Sequence, residues 1–225
     1  MTRVFAIRPE PGLSATIETG EALGLQISGY SLSHVEPVEW HCPAETSFDG
    51  LLVGSANAFR FAGPQLRKLV DLPVLAVGKI TADMAQVHGF AVEKIGEGGL
   101  QSLLDALPDS PRHLLRLTGE RNVALNPPPG VSISEQVVYR TLELPMPREF
   151  ARELADKSLV LLHSAGSAAH FAAECDRLGL AREMIALAAM GPRILAATGH
   201  GWAEARSAVN PRETALLALA REMCH

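Results

Sequence analysis

One short pattern occurs twice along the chain and limits the folds that it can adopt. The stretches FDGLLVGSANAFRFA, beginning at Phe48, and KSLVLLHSAGSAAHFA, beginning at Lys157, each join an apolar run to Ser-Ala and a helical pattern ending in Phe-Ala. Continuous apolar runs of this length are typical of strands that are buried on both faces of a parallel sheet. The repeat therefore predicts the same strand-to-helix corner in two similar parts of the molecule.

The similarity continues beyond the two corners. Each copy goes on with strand, glycine, helix and glycine, first as PVLAVGKITADMAQVHG and later as MIALAAMGPRILAATGHG. A third unit, RHLLRLTGERNVALNPPPGVSISEQVVY, follows the first copy, whereas the chain after Trp202 is too short for one. The opening segment, RVFAIRPEPGLSATIETGEALGLQISGY, has the layout of the missing unit. We therefore expect it to complete the sheet of the C-terminal half.

This organisation predicts an α/β fold of two similar three-layer lobes with parallel sheets, joined by a two-stranded linker. The expected parts are a discontinuous domain of residues 1–32 plus 145–225, an inserted domain of residues 36–140, and linker strands at 33–35 and 141–144. Both crossings, SLSHVEPVEW and VYRTLELPMP, carry the proline that marks extended chain. The alternative is one continuous doubly wound sheet in which the repeat is accidental.

Composition excludes several classes of protein. The 225 residues carry a net charge of -5 and no cluster of Lys and Arg, which disfavours nucleic acid as a partner. No apolar run approaches the roughly 20 residues that span a bilayer, so no membrane association is expected. The start of the sequence lacks the pattern of a signal peptide, which predicts a cytoplasmic protein. The three cysteines form no CxxC pair, which argues against disulfides and against a metal site.

Small, hydroxylic and basic residues follow the predicted strands, where open parallel sheets bind ligands. Small residues leave backbone N–H groups uncovered at helix N-termini, and these attract anions. The candidates for anion binding are Arg8, Ser55, Ala56, Asn57, Thr81, Gly119, Ser164, Ala165, Gly166 and Arg193. For Ser55 and Ser164 the alternative is helix capping alone, although the same cap in both lobes favours binding.

Two further side chains lie near the predicted corners. Tyr139 ends the run SEQVVY at a predicted crossing, where its hydroxyl would face the space between the lobes; the alternative is a packed tyrosine with a satisfied hydroxyl. His163 precedes the second corner and is interpreted as a packed or capping residue rather than a base. The glycine signatures of dinucleotide and triphosphate sites and the GxSxG elbow are absent from the sequence.

Taken in order, seven segments resemble the uroporphyrinogen-III synthase family. They are IRPEPG, FDGLLVGSANA, AVGKITADMAQVHG, LRLTGER, VVY, LVLLHSAGSAAHF and AAMGPRILAATGHGW, and the resemblance extends from Arg3 to about Leu217. It implies a fold of two flavodoxin-like lobes in which the N-terminal segment returns to the C-terminal lobe. It also implies a hydro-lyase that cyclises hydroxymethylbilane to uroporphyrinogen III, inverts the terminal pyrrole ring, and uses neither a metal nor an organic cofactor.

The resemblance also assigns roles to individual residues. Tyr139 matches the family's tyrosine and is the candidate general acid that assists departure of the substrate hydroxyl. Ser55, Thr81 and Ser164 match substrate-contacting positions. The sequence departs from the family after Gly191, where many relatives carry a pair of threonines and this chain has Arg193 and Ile194. Arg193 either pairs with a propionate of the substrate or is simply exposed.

Other functions are compatible with the same sequence features. A two-lobed protein could bind a small polycarboxylate without catalysis, and an α/β lyase or transferase could act on another polycarboxylate. For the synthase, the expected partners are hydroxymethylbilane and, as a source that hands it over, hydroxymethylbilane synthase. A monomer is expected because no strong self-association stripe is visible in the sequence.

Overall fold

The computed structural model describes residues 2–43, 48–108 and 110–224. Strands and helices alternate along most of the chain. The strands are β1 (Arg3–Ala6), β2 (Ile27–Gly29), β3 (Ser33–Pro37), β4 (Gly50–Val53), β5 (Val74–Val77), β6 (Val92–Gly96), β7 (Arg112–Gly119), β8 (Val131–Glu143), β9 (Ser158–Leu162), β10 (Ile185–Ala189) and β11 (Glu204–Ser207). The α-helices are α1 (Gly12–Ala22), α2 (Asn57–Phe61), α3 (Lys79–Val87), α4 (Leu100–Asp105), α5 (Arg148–Glu153), α6 (Ala165–Leu178), α7 (Pro192–Ala196) and α8 (Glu213–Met223).

The chain forms two compact units. The outer unit contains the chain up to His34 and again from Leu142 onwards, and the inserted unit is Val35–Thr141. Both boundaries fall within strands, β3 and β8, which are neighbours in one sheet. The Leu144 N–H donates to the Leu32 carbonyl at 2.9 Å and the Val38 N–H donates to the Val138 carbonyl at 3.1 Å. Residue numbers rise along one strand as they fall along the other, so these strands are antiparallel.

The outer unit contains a five-stranded sheet with the order β11-β10-β9-β1-β2. Its neighbouring strands are all parallel. The strand β1 lies inside this sheet rather than at its edge, because Val4 of β1 lies opposite both Leu159 of β9 and Ile27 of β2. In chain order the sheet reads 2-1-3-4-5, which is the flavodoxin-like arrangement.

The inserted unit contains a six-stranded sheet with the order β3-β8-β7-β4-β5-β6. From β8 to β6 its strands are parallel. If the strands are numbered in chain order from β4, the series β6-β5-β4-β7-β8 reads 3-2-1-4-5. The outer sheet, β11-β10-β9-β1-β2, reads the same when β9 is numbered 1 and the N-terminal strands β1 and β2 are numbered 4 and 5. The β1-α1-β2 segment thus holds the place in the outer sheet that β7 and β8 hold in the inserted one. The expectation of two similar α/β lobes with parallel sheets is confirmed.

Each sheet has a separate apolar core on each face. In the outer unit, Phe5 and Val160 pack with Phe171 of α6, and the alternate strand residues pack with Leu13 of α1 and Leu216 of α8. In the inserted unit, one face packs against α2 and α3 and the other against α4. Since successive side chains of a strand point to opposite faces, continuous apolar strands fill both cores and produce three layers.

One predicted helix differs in the structure. The helical pattern at the first corner also continues beyond Phe-Ala, through SANAFRFAGPQLRKL, but α2 ends at Phe61 and a 3-10 helix covers Gly63–Leu69. Gly63 has a φ of 65°, a left-handed conformation that interrupts the α-helix, and Pro64 then starts the new turn. Within the described part of the chain, no helix is both long and apolar enough to cross a membrane.

Candidate functional site

The candidate residues of the inserted unit lie at the carboxyl edge of its sheet. Ser55 and Thr81 follow the adjacent strands β4 and β5, and Gly119 ends the neighbouring strand β7. Tyr139 lies within β8 at the position opposite Gly119. Because these strands are parallel, their carboxyl ends lie at one edge. From β4 the chain adds β5 and β6 on one side of the sheet and then β7 and β8 on the other, so the strand order reverses between the neighbours β4 and β7. Ser55 and Gly119 therefore flank the switch point, where such sheets bind ligands.

The corner after β4 is held by hydrogen bonds between residues that are close in sequence. Ser55 Oγ accepts from the Asn57 N–H at 3.3 Å, and Asn57 Oδ1 accepts from Arg60 Nη1 at 3.0 Å. Ala56 is buried, so the corner presents Ser55 and Asn57. α2 has five residues, and its short length limits the partial charge at its N-terminus. Thr81, in the first turn of the longer α3, is 5% exposed.

Gly119 and Tyr139 are in direct contact. They lie opposite each other in the β7–β8 pairing, where the register shifts after Thr118. The Tyr139 carbonyl accepts from the Glu120 N–H at 3.0 Å. The ring of Tyr139 is partly buried against the core of the inserted unit, with the Phe61 ring centroid 6.5 Å away. Tyr139 is therefore fixed by its strand and its neighbours.

The candidate residues of the outer unit occupy the equivalent edge. Arg193, Ser164 and Arg8 follow the adjacent strands β10, β9 and β1. Ser164 caps α6: its Oγ accepts from the Ser167 N–H at 3.2 Å and lies 2.9 Å from Ser167 Oγ. The capping alternative is thus a real role of Ser164. Ala165 and Gly166 form the first turn of this helix, and Arg193 is exposed on α7.

A polar network lies at the switch point of the outer sheet, between β9 and β1. Glu213 of α8 is its centre: Oε2 accepts from Arg8 Nη1 at 3.1 Å, and Oε1 accepts from Thr16 Oγ1 at 2.7 Å. His163 Nε2 lies 3.1 Å from the same Oε1. Since an ionised carboxylate only accepts, Nε2 carries a proton and donates it in this bond. Arg8, a candidate substrate ligand, is thus already paired with an internal carboxylate.

Burial and hydrogen bonding set the protonation states of this network. Burial lowers the pKa of His163 and outweighs the opposing hydrogen bond to Glu213, so the imidazole is neutral at pH 7. Burial also tends to raise the pKa of Glu213. The hydrogen bonds from His163 and Thr16 and the charge of Arg8 exceed that effect, so the pKa of Glu213 is lowered. The network therefore holds one carboxylate and one guanidinium around a neutral ring.

The sequence did not indicate that several of these polar residues take part in the site. Thr16 and Glu213 lie within ordinary helical patterns, and no local signal marks them as partners of Arg8 or His163. Arg116 of β7 was also missed, although a charged residue inside the apolar run HLLRL is unusual. It is 2% exposed, and its Nη1 donates to Glu135 Oε1 at 2.6 Å and to the Val123 carbonyl at 2.9 Å. These bonds brace the loop that follows Gly119.

In the ranges 2–43, 48–108 and 110–224, no group of three or more His, Cys, Asp and Glu side chains is arranged to hold a metal ion. In the sequence, the adjacent pairs His41-Cys42 and Cys224-His225 are weak candidates for metal ligands, and His225 lies outside the described ranges.

Comparison with known protein families shows which family the chain belongs to. The family model described as Uroporphyrinogen-III synthase HemD matches residues 14–218. The chain belongs to the uroporphyrinogen-III synthase family.

Solved structures support the fold of this uroporphyrinogen-III synthase family member. A uroporphyrinogen-III synthetase from Helicobacter pylori is 18% identical, with a TM-score of 0.61 over 99% of this chain and 100% of that one. A mutant uroporphyrinogen III synthase from Thermus thermophilus is also 18% identical, with a TM-score of 0.55 over 100% of this chain and 99% of that one. No curated protein matches the sequence significantly.

Membership of the uroporphyrinogen-III synthase family makes the chain a lyase of tetrapyrrole biosynthesis, and the family implies hydroxymethylbilane as its substrate. The alternative of a polycarboxylate-binding protein without catalysis is not favoured by this match.

Proposed function

We propose that the chain closes hydroxymethylbilane to uroporphyrinogen III and that its substrate-binding residues lie at the carboxyl edge of each sheet. The observation that carries this proposal is the family match over residues 14–218. The placement of the candidate residues supports it, since they follow three adjacent strands in the outer sheet and lie at or beside the carboxyl ends of β7, β4 and β5 in the inserted sheet. Those edges are where open parallel sheets bind ligands.

The substrate carries acetate and propionate groups that need donors. In this proposal the inserted unit supplies the hydroxyls of Ser55 and Thr81, the amide of Asn57 and the backbone at Ala56 and Gly119. The outer unit supplies Ser164, the first N–H groups of α6 at Ala165 and Gly166, and the exposed cation Arg193. A hydrogen bond to a carboxylate contributes about 1.5–3 kcal/mol. Arg8 serves this role only if a carboxylate shares it with Glu213.

Catalysis then consists mainly of holding one geometry. Loss of the substrate hydroxyl as water leaves an electrophilic azafulvene, which the substituted carbon of the terminal pyrrole attacks to give a spiro intermediate. Fragmentation and a second closure invert that ring. The free bilane closes without inversion, so orientation is the larger contribution, worth as much as about 7–11 kcal/mol. Tyr139 donates its phenolic proton to the departing hydroxyl, an assistance worth about 100-fold or more.

We further propose that the protein is a cytoplasmic monomer that receives its unstable substrate from hydroxymethylbilane synthase. The absence of a membrane-crossing helix in the described residues is compatible with that place. Gel filtration at micromolar concentration tests the monomer, and a mass of two chains would exclude it.

The decisive experiment supplies hydroxymethylbilane and separates the uroporphyrin isomers after oxidation. We expect isomer III with the wild-type protein and isomer I with heat-inactivated protein. Isomer I alone with the folded wild type would remove the proposed function. A Tyr139→Phe variant should form isomer III with a lowered kcat, and an unchanged kcat would remove the role of the phenol.

A further inference from the structure

The strand that carries Tyr139 has an extra residue just before it. Thr118 of β7 lies opposite Val137 of β8, but the next residue, Gly119, lies opposite Tyr139. Val138 is therefore a bulge, and it is fully buried in the core of the inserted unit. A bulge redirects the side chains that follow it. Without this one, the regular pairing would place Val138 beside Gly119 and turn Tyr139 to the other face.

Gly119 leaves the space into which the redirected ring fits. A Cβ atom at position 119 would lie 2.6 Å from Tyr139 Cε2, 2.8 Å from Cζ and 3.1 Å from the hydroxyl oxygen. These separations are too short for any other residue unless the ring moves. Gly119 is not among the described glycines with positive φ. Its backbone therefore suits any residue, and the reason for glycine at this position is space.

We infer that Gly119 is a positioning residue that seats the Tyr139 ring, together with the bulge at Val138, so that the phenolic hydroxyl points along the end of β7. This inference rests on the proposed role of Tyr139 and gives Gly119 a function through that side chain, in addition to the backbone contact with the substrate proposed above. The Phe61 ring and the Glu120 N–H, which contact the ring and the carbonyl of Tyr139, complete the seat.

The first test is Gly119→Ala with Gly50→Ala as its control. A Cβ at Gly50 would lie 2.9 Å from the Pro73 carbonyl oxygen, so this change also crowds the same sheet. Gly50 is the first residue of β4 and therefore lies at the amino edge of the sheet, whereas Gly119 ends β7 at the carboxyl edge. For folded protein we expect Gly119→Ala to lower kcat about tenfold or more with less than a threefold change in KM. Gly50→Ala should leave both unchanged. Equal kcat losses in the two variants would overturn the inference.

A double variant separates positioning from substrate binding. If Gly119 acts through the phenol, then Gly119→Ala added to Tyr139→Phe should cause less than a twofold further loss of kcat. Losses that multiply would show that Gly119 contributes independently. If Gly119→Ala does not fold, Tyr139→Ala in the same chain should restore folding, because it removes the ring that the new methyl group meets. Failure of that rescue would also overturn the inference.

An assay without substrate distinguishes this inference from the proposed function. The chain has two tyrosines, and Tyr30 lies in the outer unit. With ring-labelled tyrosine, Gly119→Ala should shift the NMR signals of Tyr139 and leave those of Tyr30, assigned with Tyr30→Phe, in place. Unchanged Tyr139 signals would refute the seating. Isomer I alone from the wild type would refute the proposed function even if the Tyr139 signals move.

Discussion

His163 is a buried histidine whose two ring nitrogens differ in their environments. Its side chain is 6% exposed, and Nε2 donates to Glu213 Oε1 at 3.1 Å. Nδ1 is buried without a hydrogen-bond partner in the described structure. Protonation would place a charged ring and an unpaired N–H there, beside the guanidinium of Arg8, so burial lowers the pKa of His163.

This lowered pKa makes the stability of the protein depend on pH. In the unfolded chain the histidine takes a proton below its ordinary pKa of about 6.5, while the folded protein resists it. The free energy of unfolding should therefore fall as the pH drops below about 6.5, by at most about 1.4 kcal/mol per pH unit from this residue. Below the lowered pKa of the folded state, the loss from His163 stops growing.

His163→Gln should remove this part of the pH dependence, because glutamine keeps an N–H donor for Glu213 but does not titrate. Urea unfolding of the wild type and the variant at pH 7.5, 6.5 and 5.5 measures the effect. His200→Gln, at an exposed position of the same unit, is the control and should keep the wild-type slope. The same slope in His163→Gln and wild type would exclude His163 as its source.

At the scale of elements, α6 fixes the segment that leaves β8. Glu174 Oε2 accepts from the Met146 N–H at 2.6 Å, and His170 Nε2 donates to the Leu144 carbonyl at 2.7 Å. Glu174 and His170 are one helical turn apart, so they lie on one face of α6. This face supplies hydrogen bonds to the backbone of Leu144 and Met146, which follow the end of β8. Arg177 pairs with both oxygens of Glu174 at 2.7 Å. The Arg177 hydrogen bond, followed by that of Met146, lowers the pKa of Glu174 to about 2.

Glu174→Gln should therefore destabilise the outer unit by about 1–3 kcal/mol at pH 7, because the buried Met146 N–H and Arg177 lose a charged acceptor. A lowered carboxyl pKa stabilises the folded state above the unfolded value, and that stabilisation disappears as the pH falls. The difference between wild type and variant should shrink between about pH 4.5 and about pH 2. Glu222→Gln, which breaks only the exposed pair with Arg206, should cost less than about 1 kcal/mol in the same denaturation series.

The buried strands could be predicted from short stretches of the sequence alone. The apolar runs of β4, β9 and β10 are buried along almost their whole length, so continuous hydrophobicity located them without any knowledge of their partners. α5 was not predicted, because REFARE is a short polar pattern around one buried residue, Phe150. The break of α2 depends on Gly63-Pro64, a pair that is visible in the sequence but also fits within a longer helical pattern.

The sequence predicted where the site residues lie in each sheet, but not which side chains they contact. The corners at Ser55 and Ser164 follow from their strands, whereas the bulge at Val138 depends on how β8 pairs with β7. The pairing of His163 with Glu213 joins residues 50 positions apart in the sequence. Such contacts exist because two elements pack together, and no local pattern encodes that packing. Thus the sequence located the edge of each sheet and left the bonding partners of Arg8 and Tyr139 unknown.

At the scale of the whole molecule, one chain forms the same strand order in two sheets. In the inserted sheet the last two parallel strands, β7 and β8, follow the others in sequence, whereas their counterparts in the outer sheet, β1 and β2, come first in the chain. β1 and β2 complete the outer sheet from the beginning of the chain, and the inserted unit lies between them and β9 in sequence. In the full chain, β1 covers one edge of β9, whose residues Leu159 and Leu161 are fully buried. The outer unit therefore depends on two distant segments, while the inserted unit is continuous.

This difference predicts how fragments of the protein behave. The fragment 35–141 contains a whole sheet with cores on both faces, so it should unfold cooperatively on its own. The fragment 142–225 lacks β1, which leaves the apolar strand β9 as an exposed edge, and it should aggregate or melt without a transition. Adding a peptide of residues 1–34 should restore a cooperative transition, because it supplies β1, which pairs with β9. Circular dichroism melting with gel filtration measures all three samples, and a cooperative transition of 142–225 alone would show that β1 is dispensable for the outer sheet.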